Sequence, residues 1–332
     1  MKKYLFISGP KLSWNLKTLS NKWIKLKSAS NLELLNPYHF GRAYSDEKFL
    51  NQEIVTVINE SAHLSTTGLI FKTNTSISEG EHEKIWKELT HFFKYLRYTS
   101  HQFGLNSEGS IHSMHYGSTI KKGTFETQGH TTSMMIRQDY LNSMITWDDV
   151  KSAERLSQKQ FIIPVHEEIL LDAINDRNKQ EHRKAILYSA IAIESMLAKS
   201  FDDFYEQLIS KSKHTKKYRF LEQSGNIKDP IFKVLTDRTD FKKLLHEIPL
   251  YLMGKSLLES DERLYADTIK LYTTRNKIVH WGAPVNPNLD KVLEISQSGA
   301  VKSVKIAIKV FEWIGIDKFS NMKQSNFVEI KN

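Results

Sequence analysis

Residues 185–198, AILYSAIAIESMLA, limit the architecture more than any other stretch of the chain. At 100° per residue, apolar side chains run nearly all the way round this helix. A helix with almost no wet face has to be enclosed by neighbours. The chain therefore needs several other helices around residues 181–200, and the pattern offers them. Pro164 opens one, with Ile169, Leu170, Ala173 and Ile174 turned inward. Others are expected over Phe241–Leu258, Asp261–Trp281 and Ala300–Ile314. Phe201–Ser210 prolongs the central helix, and Lys211–Gly225, polar and basic, reads as a loop or hinge.

Before residue 160 the texture is different. Tyr4–Ile7, Glu53–Ile58 and Gly68–Lys72 are short β-branched or aromatic runs between polar turns, the pattern of strands. One helix interrupts them: Ser78 and Glu81 form a capping-box pattern, and Ile85, Trp86, Leu89, Phe92, Phe93 and Leu96 follow at helical spacing, with Gly104 as a stop. Residues 106–130 read as hairpins or loops. With 332 residues there is room for two domains. The expected fold class is α+β: a mixed strand-rich domain over 1–158, an all-α bundle over 159–320 and a tail over 321–332.

Two charges stand where the helical pattern calls for apolar side chains. Glu194 is the lone charge between Lys184 and Lys199 on the central helix. On the helix over 261–281, Leu264, Tyr265, Leu271, Tyr272, Ile278 and Val279 form one broad apolar face, and Arg275 falls in its middle. A buried carboxylate without a partner loses its charge, and a guanidinium cannot shed its own. The two ions, opposite in sign, are expected to meet. Such a pair can be a plain salt bridge that fixes helix register, or a guanidinium held ready for an anionic ligand.

Asn276 and His280 accompany Arg275 near the end of the same helix, just before Gly282 and Pro284. A guanidinium fork suits phosphate, an amide can orient a hydroxyl, and an imidazole moves protons near neutral pH. The plainer alternative is that His280 caps carbonyls and Asn276 helps end the helix. Residues 165–315 resemble HEPN domains, the helical-bundle superfamily named from higher eukaryotes and prokaryotes. The resemblance rests on Arg275-Asn276 followed by His280 (the R-N-x-x-x-H form), on the earlier AILYSAIAIESML helix with its single acid, and on the polar insertion between them.

What the resemblance implies is a metal-independent endoribonuclease with no cofactor, its site formed where two HEPN protomers pack as a homodimer or a higher even-numbered oligomer. In that reading His280 is general base or acid, Arg275 stabilises charge on the phosphate, Asn276 positions the phosphate or His280, and Glu194 orients Arg275. The products would be a 2′,3′-cyclic phosphate and a 5′-hydroxyl. The first domain would sense a trigger or regulatory partner, as expected of toxin and antiviral defence proteins. Many HEPN domains are catalytically silent, so a dimerising scaffold or sensor, or an RNA- or DNA-binding regulator without cleavage, are the alternatives.

The run Lys211, Lys213, His214, Lys216, Lys217, Tyr218 and Arg219 contains no acid and could track an RNA backbone, with Lys277 inside the motif as a further contact. Solvated basic loops are equally ordinary. Lys302, Lys305 and Lys309 read as the wet face of the last helix. His112-x-x-His115 lacks neighbouring acids or cysteines and reads as scattered histidine, not a metal site. The absence of cysteine removes disulfides and thiol chemistry. Charge is mixed, 47 Lys+Arg against 38 Asp+Glu, which permits nucleic acid without requiring it. The apolar run before Ser8-Gly9-Pro10 is too short for a signal peptide, and no run reaches the roughly 18 residues of a membrane span. A cytoplasmic protein is expected.

Overall fold

In the computed structural model the chain divides into two units, Met1–Ile163 and Pro164–Asn332. The structure describes residues 3–15, 24–25, 32–34, 57–59, 63–73, 79–101, 113–117, 120–121, 124–125, 145–212, 241–281 and 292–319.

In the first unit, helix α1 (Glu79–Ser100) buries Ile85, Leu89, Phe92, Phe93 and Leu96 on one side. Trp86, at the rim of that stripe, is 37% exposed. Helix α2 (Trp147–Gln158) begins with a reciprocal cap. Asp149 N donates to Thr146 Oγ1 at 3.1 Å, and Thr146 N donates to Asp149 Oδ2 at 2.8 Å. Trp147, Val150 and Ala153 then face the same interior as α1. Two long-range hydrogen bonds tie the pieces: Thr99 Oγ1 donates to the Asp149 carbonyl at 2.9 Å, and Tyr95 Oη to that of Phe161 at 2.8 Å.

Strand β1 (Lys3–Asn15) pairs antiparallel with residues 63–73 and 113–117. These ladders bring Leu12 and Trp14 into the interior, joined by Leu32 and Leu34. The rest of the described interior comes from α1, α2 and their flanks. The expected α+β class with a strand-rich first domain is therefore corrected. Helix predominates over the described residues taken together, and a domain built mainly of strands is not shown: the first unit carries two helices beside its strands, where one was expected. The physical reason lies at residues 146–158: Thr146-x-x-Asp149 is a capping pattern in its own right, and it starts a helix where only strands and loops were expected. Ser78, Gly104 and His112 lie outside the described residues.

In the second unit, helix α3 (Val165–Asn178) starts after Pro164, whose fixed φ of −57° suits a helix entry. Helix α4 (His182–Ser212) is the central one, meeting α3 and the helices over 247–253, 262–281 and 297–314. Ala185, Ile186, Ser189, Ala190, Ala192, Ile193, Met196, Leu197 and Phe201 are buried. The expected helix over Phe241–Leu258 is broken into α5 (Phe241–Leu245), α6 (Glu247–Met253) and α7 (Leu257–Ser260). Pro249 explains the first break, since its ring excludes the carbonyl four residues back, that of Leu245. Gly254, at φ +71°, makes the second.

Helix α8 (Glu262–Trp281) carries the motif, and helix α9 (Gln297–Ile314) closes the bundle. Gly299 in the first turn of α9 lies so close to the chain before it that a Cβ would meet the Glu294 carbonyl oxygen at 1.8 Å. Only glycine allows that approach. Val304, Ile306, Ile308, Val310 and Phe311 follow, all buried. Each contributes about 1.5–3 kcal/mol by leaving water.

Candidate functional site

Helix α8 is amphipathic, but its buried arc differs from the expected one. Leu264, Leu271 and Ile278 are buried, joined by Thr268 and Thr274, whose hydroxyls donate to the carbonyls of Leu264 and Lys270 at 2.7 Å. Thr274 Oγ1 also accepts from Leu293 N at 2.7 Å. Tyr265 is half-buried, and Val279, expected on the apolar face, is 53% exposed. The arc ends at Ile278, in the last turn of the helix.

Arg275 lies within that arc near the helix end. Its Nη2 donates to Glu194 Oε2 across the interface with α4 at 3.3 Å, and the two side chains are 13% and 27% exposed. Its Nη1 donates to Asn276 Oδ1 at 2.7 Å. The guanidinium carbon stands 5.8 Å from the centroid of the Tyr272 ring, within reach of a cation–π contact. Nε is buried without a hydrogen-bond partner among the described residues. The charge is thus matched, yet the group is not sealed away.

His280 is exposed, as is its neighbour Val279, and Lys277 is half-buried. Five residues separate Arg275 from His280, which turns them about 140° apart on a helix and about 7.5 Å along its axis. The structure brings Arg275, Asn276, Glu194 and Tyr272 together. It does not bring His280 into that group, although Asn276 stands one turn before it on nearly the same side. Of the basic stretch, Lys211 belongs to the last turn of α4 instead of a loop. Lys213, Lys216, Lys217 and Arg219 lie outside the described residues. On α9, Lys305 and Lys309 are exposed, while Lys302 bridges to Asp267 of α8 at 2.6 Å.

The same six-residue spacing recurs at Arg177, Asn178 and His182. There too the guanidinium bonds the next side chain, Nε and Nη2 reaching Asn178 Oδ1 at 3.1 and 3.0 Å. Burial pushes the Arg177 guanidinium down to about 10. This copy spans the end of α3, a turn with Gln180 at φ +62°, and the start of α4. An Arg–Asn bond is therefore a local consequence of adjacency and marks no site. What distinguishes Arg275 is an unbroken helix and an acid delivered from α4. Tyr272 was also missed as part of the site; its place three residues before Arg275, on a neighbouring helical position, is the signal.

Among the described residues no group of three or more His, Asp or Glu is arranged to hold a metal ion, and no helix is long and apolar enough to cross a membrane. Comparison with family models, with curated proteins and with solved structures returns no match.

Proposed function

We propose that this chain is a metal-independent endoribonuclease of the HEPN type, acting in the cytoplasm as a homodimer or a higher even-numbered assembly. The observation that carries the reading is the half-buried Arg275–Glu194 pair near the end of α8, with His280 exposed in the last turn of the same helix. RNA supplies its own nucleophile. His280 takes the proton from a 2′-hydroxyl, the freed oxygen attacks the adjacent phosphorus, and as the P–O5′ bond breaks His280 returns that proton to the leaving 5′-oxygen. The products are a 2′,3′-cyclic phosphate and a 5′-hydroxyl end.

Arg275 serves the charge that grows on the non-bridging oxygens. Each of its Nη atoms carries a second N–H beyond the bonds to Glu194 and Asn276. Glu194 orients the guanidinium, and Asn276 links it to the turn that bears His280. Because Arg275 and His280 point to different sides of one helix, a site that needs both is most simply assembled from two copies. Lys211, Lys213, Lys216, Lys217, Arg219 and Lys277 would supply phosphate contacts along the strand. The first unit would sense a trigger or partner, in a toxin or antiviral defence role.

One observation favours the second reading, a silent dimerising scaffold: in a single chain both Nη atoms of Arg275 are already bonded. Expression of the wild type beside His280→Ala separates the two. The nuclease reading expects growth arrest and RNA with 2′,3′-cyclic phosphate ends from the wild type only. His280 is exposed, so its removal should change stability by less than about 0.5 kcal/mol. Equal behaviour of the two proteins under every trigger leaves the scaffold standing.

A further inference from the structure

Arg275 has a neighbour that the R-N-x-x-x-H pattern does not include. Tyr272, one turn earlier on α8, is almost fully buried, and its ring lies beside the guanidinium with 5.8 Å between the Arg275 carbon and the ring centroid. Phe241, the first residue of α5, stacks on Tyr272 with centroids 4.0 Å apart and planes within 5° of parallel. Phe241 is itself buried. The tyrosine ring is thus braced by Phe241 and cannot swing freely away from the cation.

This arrangement answers a mechanical question. Two hydrogen bonds, one of them a long 3.3 Å contact to a carboxylate that is 27% exposed, leave a flexible arginine side chain room to pivot. Nε, buried with no hydrogen bond, does not restrain it. A ring beside the guanidinium supplies the missing restraint, since the negative face of an aromatic attracts a cation while remaining indifferent to which N–H groups are in use. The second N–H on each Nη, beyond the bonds to Glu194 and Asn276, is left for an anion.

We propose that Tyr272, braced by Phe241, is a positioning residue that holds the Arg275 guanidinium in register for a phosphate. This rests on the nuclease reading above, and its test must tell the two apart. The variants are Tyr272→Leu, Tyr272→Phe, Phe241→Leu and His280→Ala in the full chain, each assayed well below its own melting temperature. Two readouts are taken: steady-state RNA cleavage, and the NMR signal of the Arg275 Nε–H, which a nearby aromatic ring displaces and a buried position protects from exchange.

Tyr272→Leu is expected to lower kcat about tenfold with KM unchanged, the sign of an interaction used in the transition state. The displaced, protected Arg275 signal is lost with it. Tyr272→Phe keeps both, because the ring and not the hydroxyl does the holding, and Phe241→Leu moves both in the direction of Tyr272→Leu, but less. A Tyr272→Leu protein with wild-type kcat, or with an unmoved Arg275 signal, overturns the inference while His280→Ala still abolishes cleavage. Equal damage from Tyr272→Phe and Tyr272→Leu overturns it as well. Cleavage unaffected by His280→Ala is a different failure: it ends the nuclease reading and removes the reaction that Tyr272 would serve.

Discussion

Glu194 and Arg275 sit on two helices whose surroundings would otherwise be apolar, and each makes the other's position tolerable. That meeting was readable from sequence because each is a lone charge on an apolar pattern, and opposite signs in one bundle have few other ways to be satisfied. Both side chains keep some contact with water, so the pair is worth less than a fully buried one. We expect Glu194→Ala and Arg275→Ala each to cost about 1–3 kcal/mol, with the double variant costing clearly less than their sum. Urea unfolding of the four proteins measures this, and strict additivity would show that the two charges do not depend on one another. The Phe241–Tyr272 stack was not legible in the same way. Its partners are far apart in sequence, and each looks like any other core aromatic until the fold places one ring on the other.

Among the elements, those with strong helical period are where the pattern puts them: α1, α3, α4, α8 and α9. Where the elements depart from the periodic pattern the cause is shared: a single proline, glycine or cap overrides periodicity. Pro249 and Gly254 both lie inside the span expected as one helix, and both break it. Thr146-x-x-Asp149 is the same kind of capping pattern as Ser78 and Glu81, but it heads a shorter apolar run. The Thr146 cap also sits beside the bond from Thr99 to the Asp149 carbonyl, so it anchors α2 against α1. Removing it in Thr146→Ala should cost about 1 kcal/mol. Amide exchange is expected to accelerate first at the N-terminal turn of α2, whereas uniform acceleration across the chain would argue against a local cap.

For the molecule as a whole, one titration is written into the second unit. His166 is buried against Phe311, which pushes its imidazole below the usual range; Glu167 pulls it upward, Lys318 and Lys199 downward and Asp203 upward, and burial wins. Lys318, bonded to Glu167, completes the cluster. A histidine whose folded state resists the proton adds stability that is complete above its ordinary value near 6.5 and is lost as pH falls below it. The urea midpoint of the wild type should therefore drop between pH 7 and pH 5.5, no more steeply than about 1.4 kcal/mol per pH unit for this one group. His166→Gln should flatten the dependence in that window. An unchanged slope would assign the loss to other groups.

The placement of His280 has a consequence of its own. The imidazole is exposed, outside the braced cluster that ties α8 to α4. Under the proposed nuclease reading, chemistry and architecture are thereby decoupled. A lineage carrying this helix can surrender its reactive group through a single codon change and still inherit an intact scaffold, so inert descendants should persist as readily as working ones.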